Sequence, residues 1–328
     1  MNIYITLDYE LYMGGISGTV QNCLLTPTNH LLELLEIYSV KATFFVDAAY
    51  LYRLREFKAS HSSLEEDYNM ISNNIRTIVE KGHAIGLHLH PQWFYSNYDG
   101  EKWVMDFDHY KLSDMPQPEA DSYFEKCCKL LKEISGYKIT SFRAGGYSVQ
   151  GYNSLTQMMR KCGIKNDSTV LYKNKNSSKL HSYDYTHVKD TDSYQFSKDI
   201  TEKDLHGEFC EYPIAAARVS YLRYCYLRYK YARMPENRNW GDGGVCAEKK
   251  PRSFIRNLIR KTKLSLYVSA TLDYQSFFFF DIVYRQLKRN CKRDFVIIAH
   301  PKGLSPVSLR MLDNYLRKTM KENVYKTL

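Results

Sequence analysis

The chain has 328 residues, of which 44% are hydrophobic and 25% are charged, a composition typical of a globular protein. Its eight cysteines form neither a CxxC pair nor a zinc-ribbon spacing, which excludes those metal motifs and favours reduced thiols. The net charge is +10. No charged and apolar leader precedes the first predicted strand, and no apolar run approaches the ~20 residues that cross a bilayer, so we expect a cytoplasmic protein.

Seven predicted strands alternate with segments of helical period, which is the pattern of parallel βα units. In chain order the strands are Ile3–Leu7, Ala42–Val46, His83–His90, Ile139–Phe142, Gly163–Ser168, Phe209–Ile214 and Phe295–Ala299. Continuous apolar strands are buried on both faces, as in a barrel. The length fits one large α/β domain or two medium ones. Because we find neither a fixed-period repeat nor a linker, we expect one domain over residues 1–328.

The helices predicted between these strands follow from caps and from the spacing of apolar residues. The first begins at Thr26 and Pro27, and the second begins at a capping box of Ser62 with Glu65. Three more are predicted at Glu119–Ile134, at Leu155–Met159 and after the cap Ser305.

Polar and ionisable residues gather at the C-terminal ends of the predicted strands, where βα loops place active sites. They are Asp8, Glu10, His88, His90, Arg143, Asp167 and His300. Residues two apart in a strand share a face, so the two acids of the first strand point the same way, as do the two histidines of the third.

These residue types suit the hydrolysis of an amide. A carboxylate with imidazoles binds zinc or a similar divalent metal, which polarises a carbonyl and lowers the pKa of bound water to ~7. A second carboxylate can act as general base, and a distant histidine can protonate the leaving amine. A single strand-end histidine more often satisfies a backbone group. We assign that structural role to His30, His61, His109, His181, His187 and His206.

Six segments in order resemble the motifs of the polysaccharide deacetylase (NodB homology) family, also called carbohydrate esterase family four. They are TLDYE at Thr6–Glu10, ATFFV at Ala42–Val46, AIGLHLHPQW at Ala84–Trp93, FRAGGYS at Phe142–Ser148, KNDST at Lys165–Thr169 and VIIAHP at Val296–Pro301. The resemblance covers nearly the whole chain except residues 215–263. It implies a distorted (β/α)7 barrel of the polysaccharide deacetylase type.

The resemblance also implies roles for individual residues. Asp8 matches the catalytic base, and Arg143 would keep that base ionised. His300 would be the general acid, with Asp167 orienting or tuning it. Tyr147 lies where the family often uses a backbone amide to bind the oxyanion.

The metal motif departs from the family pattern at two positions. Tyr9 aligns with an aspartate that binds the metal, and tyrosine is a poor ligand, so Glu10 is the expected replacement. The second histidine of the family motif falls at Gln92. His90 lies two residues away and would complete the set if the strand end bends accordingly. We therefore expect Glu10, His88 and His90 to bind a divalent metal, with Zn²⁺ the expected ion.

The excess of positive charge lies in one segment, a basic insertion at residues 215–263 with 13 Lys/Arg and 3 Asp/Glu. The stretch PRSFIRNLIRKTK predicts a helix with Arg252, Arg256 and Arg260 in a row, whereas SYLRYCYLRYKYARM fits neither a helical nor a strand period. Three partners remain open: phosphates of a nucleotide- or lipid-linked sugar, an anionic membrane surface, or nucleic acid. Nucleic acid is the least favoured because no recognisable binding module is present, and a solvated basic face without a partner also remains open.

The sequence thus predicts a metal-dependent hydrolase that removes an N-acetyl group from a sugar or a glycan precursor in cell-surface polysaccharide biosynthesis. Two alternatives are a catalytically silent carbohydrate-binding relative and a membrane-associated component of a glycan assembly complex. The expected location is the cytoplasm, with peripheral contact at the membrane under the last alternative.

Overall fold

The computed structural model describes residues 1–234, 238–244 and 265–328. Fifteen strands are formed within these ranges. They are β1 (Asn2–Tyr9), β2 (Thr43–Asp47), β3 (Ala84–Leu89), β4 (Asn97–Tyr98), β5 (Trp103–Val104), β6 (Ser141–Ala144), β7 (Asn166–Asp167), β8 (Lys175–Ser177), β9 (Ser182–Asp184), β10 (Tyr194–Phe196), β11 (Phe209–Glu211), β12 (Ala216–Ser220), β13 (Ser265–Ser269), β14 (Asp294–Ala299) and β15 (Val324–Lys326).

The same ranges contain nine α-helices, most of which connect successive strands of the main sheet. They are α1 (Thr26–Ile37), α2 (Ala48–Phe57), α3 (Ser62–Glu80), α4 (Gln92–Tyr95), α5 (Gln117–Ser135), α6 (Leu155–Cys162), α7 (Tyr221–Ala232), α8 (Phe279–Arg289) and α9 (Pro306–Thr319). Among the described residues, no helix is long and apolar enough to cross a bilayer.

One curled sheet contains all seven predicted strands. Its order is β10-β11-β7-β6-β3-β2-β1-β14, with β15 also beside β1, and every neighbouring pair is parallel except β10 with β11. Ile214 forms parallel bridges to Leu171 on one side and to Val296 on the other. These bridges connect the β7–β11 side of the sheet to β14. The α/β, barrel-type fold expected from the sequence is therefore confirmed, as a curled half-barrel.

Burial explains why the strands could be recognised from their composition. All residues of β2, β3 and β14 are buried, because helices cover one face of the sheet and the barrel interior lies on the other. The helices bury one face each. In α3, for example, Leu64, Ile71, Ile75 and Ile78 pack inward at helical spacing.

The structure confirms one of two predicted helix caps and contradicts the other. Ser305 caps α9 and exchanges hydrogen bonds with Ser308, which confirms the predicted start of that helix. The capping box of Ser62 with Glu65 is wrong. The residue before α3 is His61, in extended conformation and without a side-chain cap, so Ser62 is already the first helical residue.

The segment predicted as a basic insertion begins as a ribbon that leaves the sheet beside β14. β12 and β13 pair antiparallel, and α7 follows β12 directly. Residues 238–244 then return to the carboxyl ends of the strands, where Asn239 donates to the Tyr12 hydroxyl at 2.9 Å and the Trp240 amide donates to the Leu304 carbonyl at 3.1 Å. The predicted arginine row, Arg252, Arg256 and Arg260, lies outside the described residues.

Gly86 allows the closest packing inside the sheet. A Cβ atom on this residue of β3 would lie 2.6 Å from the Phe45 ring and 2.6 Å from the Ser141 hydroxyl. We predict that Gly86→Ala lowers the free energy of unfolding by about 2 kcal/mol, because neighbouring strands must move to admit the methyl group. Urea denaturation would measure the loss. Gly244→Ala is the control, since its Cβ would meet no atom within 4 Å, and equal stability of both variants would contradict the packing argument.

Candidate active site

A buried ion pair lies at the bottom of the candidate site. Arg143, at the end of β6, is fully buried and donates from Nη1 to Asp8 Oδ1 at 2.6 Å. Its Nη2 donates to the hydroxyls of Thr6 and Ser168, both at 2.8 Å, and its Nε donates to the Ser168 carbonyl. Burial alone would raise the pKa of Asp8, but the guanidinium beside it lowers that pKa below its ordinary value. Asp8 is therefore held as a carboxylate.

Glu10, His88 and His90 meet beside this pair. Oε2 of Glu10 lies 3.0 Å from Nε2 of His88 and 2.5 Å from Nε2 of His90. One possible ligand atom from each of the three residues lies within 4.8 Å of the others, and all three residues are buried. Strand alternation contributes to this convergence, because Glu10 directly follows β1 and continues the face of Asp8, while His90 directly follows β3 and continues the face of His88. Tyr9 points away, with its hydroxyl on Asn74, so it does not enter the site.

Lys302 holds the other oxygen of Glu10. Its buried Nζ donates to Glu10 Oε1 at 2.8 Å and to the Leu11 carbonyl at 2.5 Å. Burial alone would raise the pKa of Glu10, but Lys302 and the two histidines lower it well below the ordinary value. Glu10 is therefore ionised, with Oε1 on the lysine and Oε2 turned toward the imidazoles.

Each histidine ring is oriented by a polar group next to its Nδ1 atom. Nδ1 of His88 is 2.8 Å from the Arg143 carbonyl, which accepts its proton and leaves Nε2 facing Glu10. Nδ1 of His90 lies 3.4 Å from the carboxamide of Gln92. The atom nearest to Nδ1 is the amide nitrogen of Gln92. Rotation of the carboxamide by about 180° would present its oxygen to Nδ1–H and leave Nε2 toward the site. Gln92 is the first residue of α4, so the strand alternation ends at His90 and Gln92 lies behind the cluster.

The donor set fits a divalent metal. Two imidazole nitrogens and one carboxylate oxygen are the three protein ligands of one common type of catalytic zinc site. Nε2 of His90 is buried and makes no hydrogen bond of acceptable geometry, although Oε2 of Glu10 lies 2.5 Å away. A nitrogen in this position is suited to a metal ion. Burial lowers the pKa of His88, but Asp8 and Glu10 more than offset this effect and raise it, so a metal ion competes with a proton for this nitrogen.

His300 completes the site from the end of β14. Its Nε2 lies 3.6 Å from Asp8 Oδ2 and 3.6 Å from Glu10 Oε1. Its Nδ1 lies 2.6 Å from Asp273 Oδ2, and its amide donates to Asp273 Oδ1 at 2.7 Å. Burial lowers the pKa of His300, but the Asp273 carboxylate dominates and raises it to about 9. His300 is therefore protonated at neutral pH.

The predicted pairing of Asp167 with His300 is wrong. Asp167 is fully buried on β7, where Oδ1 accepts from the Thr169 amide at 2.8 Å, and its register partner is Glu211 on β11. The two acids interact, and burial together with Asp167 raises the pKa of Glu211 well above its ordinary value. Asp167 therefore supports the loop after β7, and Asp273 occupies the position beside His300.

Tyr147 lies on the loop after β6, next to the ion pair. Gly146 and Tyr147 both have positive φ, 56° and 59°, a conformation that is unfavourable for tyrosine. The hydroxyl of Tyr185 donates to the Tyr147 carbonyl at 2.7 Å and helps to fix this turn. Burial raises the pKa of the Tyr147 hydroxyl, and the negative charge of the nearby Asp8 raises it further. The structure therefore places this turn close to Asp8.

Sequence reasoning missed three charged residues of the site: Lys302, Asp273 and Asp47. Asp47, at the end of β2, accepts from the Trp93 indole at 2.8 Å and lies 3.4 Å from the His90 amide. A signal existed for Asp47, because it directly follows the second strand at the same edge as the other site residues.

The fold and site together define a class of protein, the deacetylase-type (β/α) barrels, with acids and histidines at the ends of parallel strands. The family model for polysaccharide deacetylase matches residues 5–167, and the chain belongs to this family. Family membership supports a carbohydrate deacetylase activity.

One solved structure supports the fold, and two others are similar at lower TM-scores. A polysaccharide deacetylase from Mycobacterium smegmatis aligns with 15% identity and a TM-score of 0.51, over 98% of this chain and 85% of that one. A CE4 family pseudoenzyme from Bacillus anthracis aligns with 11% identity and a TM-score of 0.43, over 99% and 63% of the two chains. A peptidoglycan deacetylase from Bacillus subtilis aligns with 18% identity and a TM-score of 0.27, over 49% and 55%. A search of curated protein sequences finds no significant match.

The pairing of His300 gives a first prediction for this site. In the metal-free protein, Asp273→Asn should move the pKa of His300 from about 9 down toward 6.5, because the neighbouring negative charge is lost. A raised pKa stabilises the fold fully below pH 6.5, and this contribution is lost as the pH rises through about 9. An NMR titration of the His300 ring measures the shift. Asp167→Asn is the control. A larger shift in that variant would support the pairing of Asp167 with His300 that the sequence predicted.

The metal ligands give a second prediction. His90→Ala should abolish binding of Zn²⁺, because it removes one of three donors, whereas Gln92→Ala should weaken it by only about 10–100-fold, as expected for a residue that supports a ligand. Metal content after dialysis against limiting Zn²⁺ separates the two variants. His187→Ala, outside the site, is the control. If Gln92→Ala empties the site and His90→Ala does not, our assignment of the third ligand is wrong.

Proposed function

We propose that this protein is a metal-dependent hydrolase that removes the N-acetyl group from an amino sugar or a sugar-containing glycan precursor. The observation that carries the proposal is the convergence of three groups. They are the Asp8 carboxylate held ionised by Arg143, the protonated His300 and the Glu10–His88–His90 cluster. The atoms that connect them lie within 4.0 Å of each other. Metal-dependent amide hydrolysis uses a base, an acid and a Lewis acid in that proximity.

Glu10, His88 and His90 would hold the metal in this proposal. Two imidazoles and a carboxylate favour Zn²⁺ over Mg²⁺ or Ca²⁺, because nitrogen ligands suit Zn²⁺ whereas the other two ions prefer oxygen ligands. A divalent cation supplies Lewis-acid polarisation of the acetyl carbonyl and of the attacking water. The remaining steps depend on the side chains of the chain itself.

Asp8 is the proposed general base. Arg143 binds Oδ1, so Oδ2 remains directed toward His88 and His300, at 4.0 and 3.6 Å from their Nε2 atoms. Oδ2 takes a proton from the water molecule as the water oxygen attacks the carbonyl carbon of the acetyl group. Because Arg143 stabilises the carboxylate, Asp8 is available as a base over the whole neutral range.

His300 is the proposed general acid. Its Nε2 faces the site, and Asp273 holds Nδ1 and keeps the imidazolium stable. Nε2–H protonates the sugar nitrogen as the carbon–nitrogen bond breaks, which yields acetate and the free amine. The amide of Tyr147 is the proposed donor to the carbonyl oxygen as negative charge develops on it.

The substrate and the location are parts of the same proposal. A phosphate-bearing carrier, either a nucleotide or a lipid, would match the positive charge of residues 215–263. Free thiols favour a reducing compartment such as the cytoplasm. All seven described cysteines are free, and Cys246 lies outside the described residues. Synthesis of a cell-surface polysaccharide would place such a substrate there.

One observation favours a second candidate, a catalytically silent carbohydrate-binding protein. Lys302 gives Glu10 a cationic partner without any metal, at 2.8 Å. Equilibrium dialysis with Zn²⁺ distinguishes the two functions, because the silent protein would bind glycans and no stoichiometric metal.

Asp8→Asn tests the proposed chemistry. The amide side chain can still accept from Arg143 but cannot take a proton, so we predict a loss of turnover of about 10²–10⁴-fold in a variant that is less stable but keeps the same structure. Acetate release from an N-acetylated amino-sugar oligomer measures the rate, and circular dichroism and metal content serve as checks. Asp108→Asn, an exposed acid paired with Lys179, is the control. Full activity of the Asp8 variant would exclude this residue as the base.

A further inference from the structure

The outer face of α7 is an exposed apolar and aromatic stripe. Leu222, Tyr226 and Tyr229 are 83%, 63% and 59% exposed, and their i, i+4, i+7 spacing places them on one side of the helix. A single exposed leucine is ordinary on a protein surface. Three such side chains in a row on one helix form a continuous patch, which we call the α7 stripe.

The opposite face of α7 attaches the helix to the body of the protein. Tyr224 stacks on Phe279 with ring centroids 5.4 Å apart, and Tyr231 stacks on Phe278 at 4.5 Å. The stripe therefore faces away from the barrel because the inward face of α7 is already packed.

The charge of α7 is entirely positive. Its sequence, YLRYCYLRYKYA, contains Arg223, Arg228 and Lys230 but no carboxylate, and the next residue is Arg233. All four cationic side chains are exposed. Arg233 lies 4.1 Å from the ring of Tyr229, so cationic groups flank the stripe directly.

Cations continue onto the neighbouring helices. A cavity of about 620 Å³ lies between α7, α8 and α9, with Arg223, Arg285 and Lys318 among its lining residues. The acid in the same lining, Asp281, forms an ion pair with Arg285 at 2.9 Å. Among the described residues, the lining of this cavity therefore carries a net positive charge.

We propose that α7 docks on an anionic lipid bilayer, with the α7 stripe in the headgroup region and the flanking cations on lipid phosphates. Tyrosine suits this position because its ring is apolar and its hydroxyl is polar, and arginine and lysine can reach phosphates while their stems cover apolar surface. The charge complementarity between an acid-free helix and an anionic membrane selects this occupant.

Two other occupants fit less well. A second copy of this chain, packed symmetrically through α7, would bring the same arginines and lysine against each other, and like charges repel. Nucleic acid would bind the cations but would not require a leucine that is 83% exposed beside them.

The position of α7 relates membrane docking to the candidate active site. Tyr231, in its last turn, contacts Phe277 and Phe278, which follow Asp273 within five residues. Residues 238–244 continue from α7 to the loop of Lys302. Docking would therefore bring the site near the lipid headgroups. The conclusion that the sugar substrate is lipid-linked rests on the proposed function, whereas docking itself does not.

The first experiment removes the stripe. The full chain should co-sediment with vesicles of phosphatidylglycerol and phosphatidylcholine but not with vesicles of phosphatidylcholine alone. Replacement of Leu222, Tyr226 and Tyr229 by serine should weaken this binding by roughly tenfold or more, because apolar burial in the headgroup region is lost. The matched control replaces Ile37, Leu205 and Val324 by serine, which are exposed apolar residues away from α7. That variant should bind like wild type.

The second experiment reverses the charge. Arg223→Glu with Lys230→Glu should weaken binding to the anionic vesicles by about a hundredfold at low salt, since each cation near the surface contributes to attraction and each new acid opposes it. Binding of the wild type should fall as salt rises and screens the charges. Lys129→Glu with Lys198→Glu is the control, because these exposed lysines lie on other parts of the surface.

The outcomes are distinguishable. Equal vesicle binding by wild type and the stripe variant, or no binding by wild type at low salt, would overturn the proposal. Displacement of wild type from vesicles into a complex with added RNA would also overturn it, in favour of nucleic acid. Acetate release from a water-soluble substrate should be the same in wild type and the stripe variant. If neither releases acetate, the proposed deacetylase function fails while membrane docking stands.

Discussion

The buried guanidinium of Arg143 connects three strands of this half-barrel through its hydrogen bonds. It contacts Asp8 and Thr6 of β1 and Ser168 after β7, while its own residue belongs to β6. A buried charge without a partner is unfavourable, and removing one member of such a pair typically costs about 3–5 kcal/mol. The fold is therefore most stable when Asp8 is ionised. The same ion pair provides the base of the proposed reaction, so one interaction serves both stability and chemistry.

The second acid of the site follows the same arrangement. Lys302 binds one oxygen of Glu10 and leaves the other to the histidines, just as Arg143 binds one oxygen of Asp8. Each carboxylate thus has a cation on one side and an imidazole on the other. This arrangement keeps two adjacent acids ionised in a buried space, where burial alone would protonate them. A divalent cation would be the additional positive charge that such a cluster can accommodate.

The sequence predicted what depends on strand alternation and missed what depends on long-range contacts. Glu10, His88 and His90 converge because side chains two apart share a face and parallel strands end at one edge. Asp273 could not be found this way, since it follows β13, which was not predicted. Lys302 has no local pattern to distinguish it from a surface lysine. α7 was missed because tyrosines occupy both its packed and exposed faces, which removes the apolar period that would reveal a helix.

The central claim is that Glu10, His88 and His90 bind a divalent metal, and crystallography tests it most directly. Crystals of the full chain should be grown with Zn²⁺, and diffraction data collected on both sides of the zinc absorption edge. We predict an anomalous peak at a distance of about 2.0–2.2 Å from Nε2 of both histidines and from a carboxylate oxygen of Glu10. Absence of that peak, with Glu10 still held by Lys302 and His90, would contradict the account and favour the silent carbohydrate-binding protein.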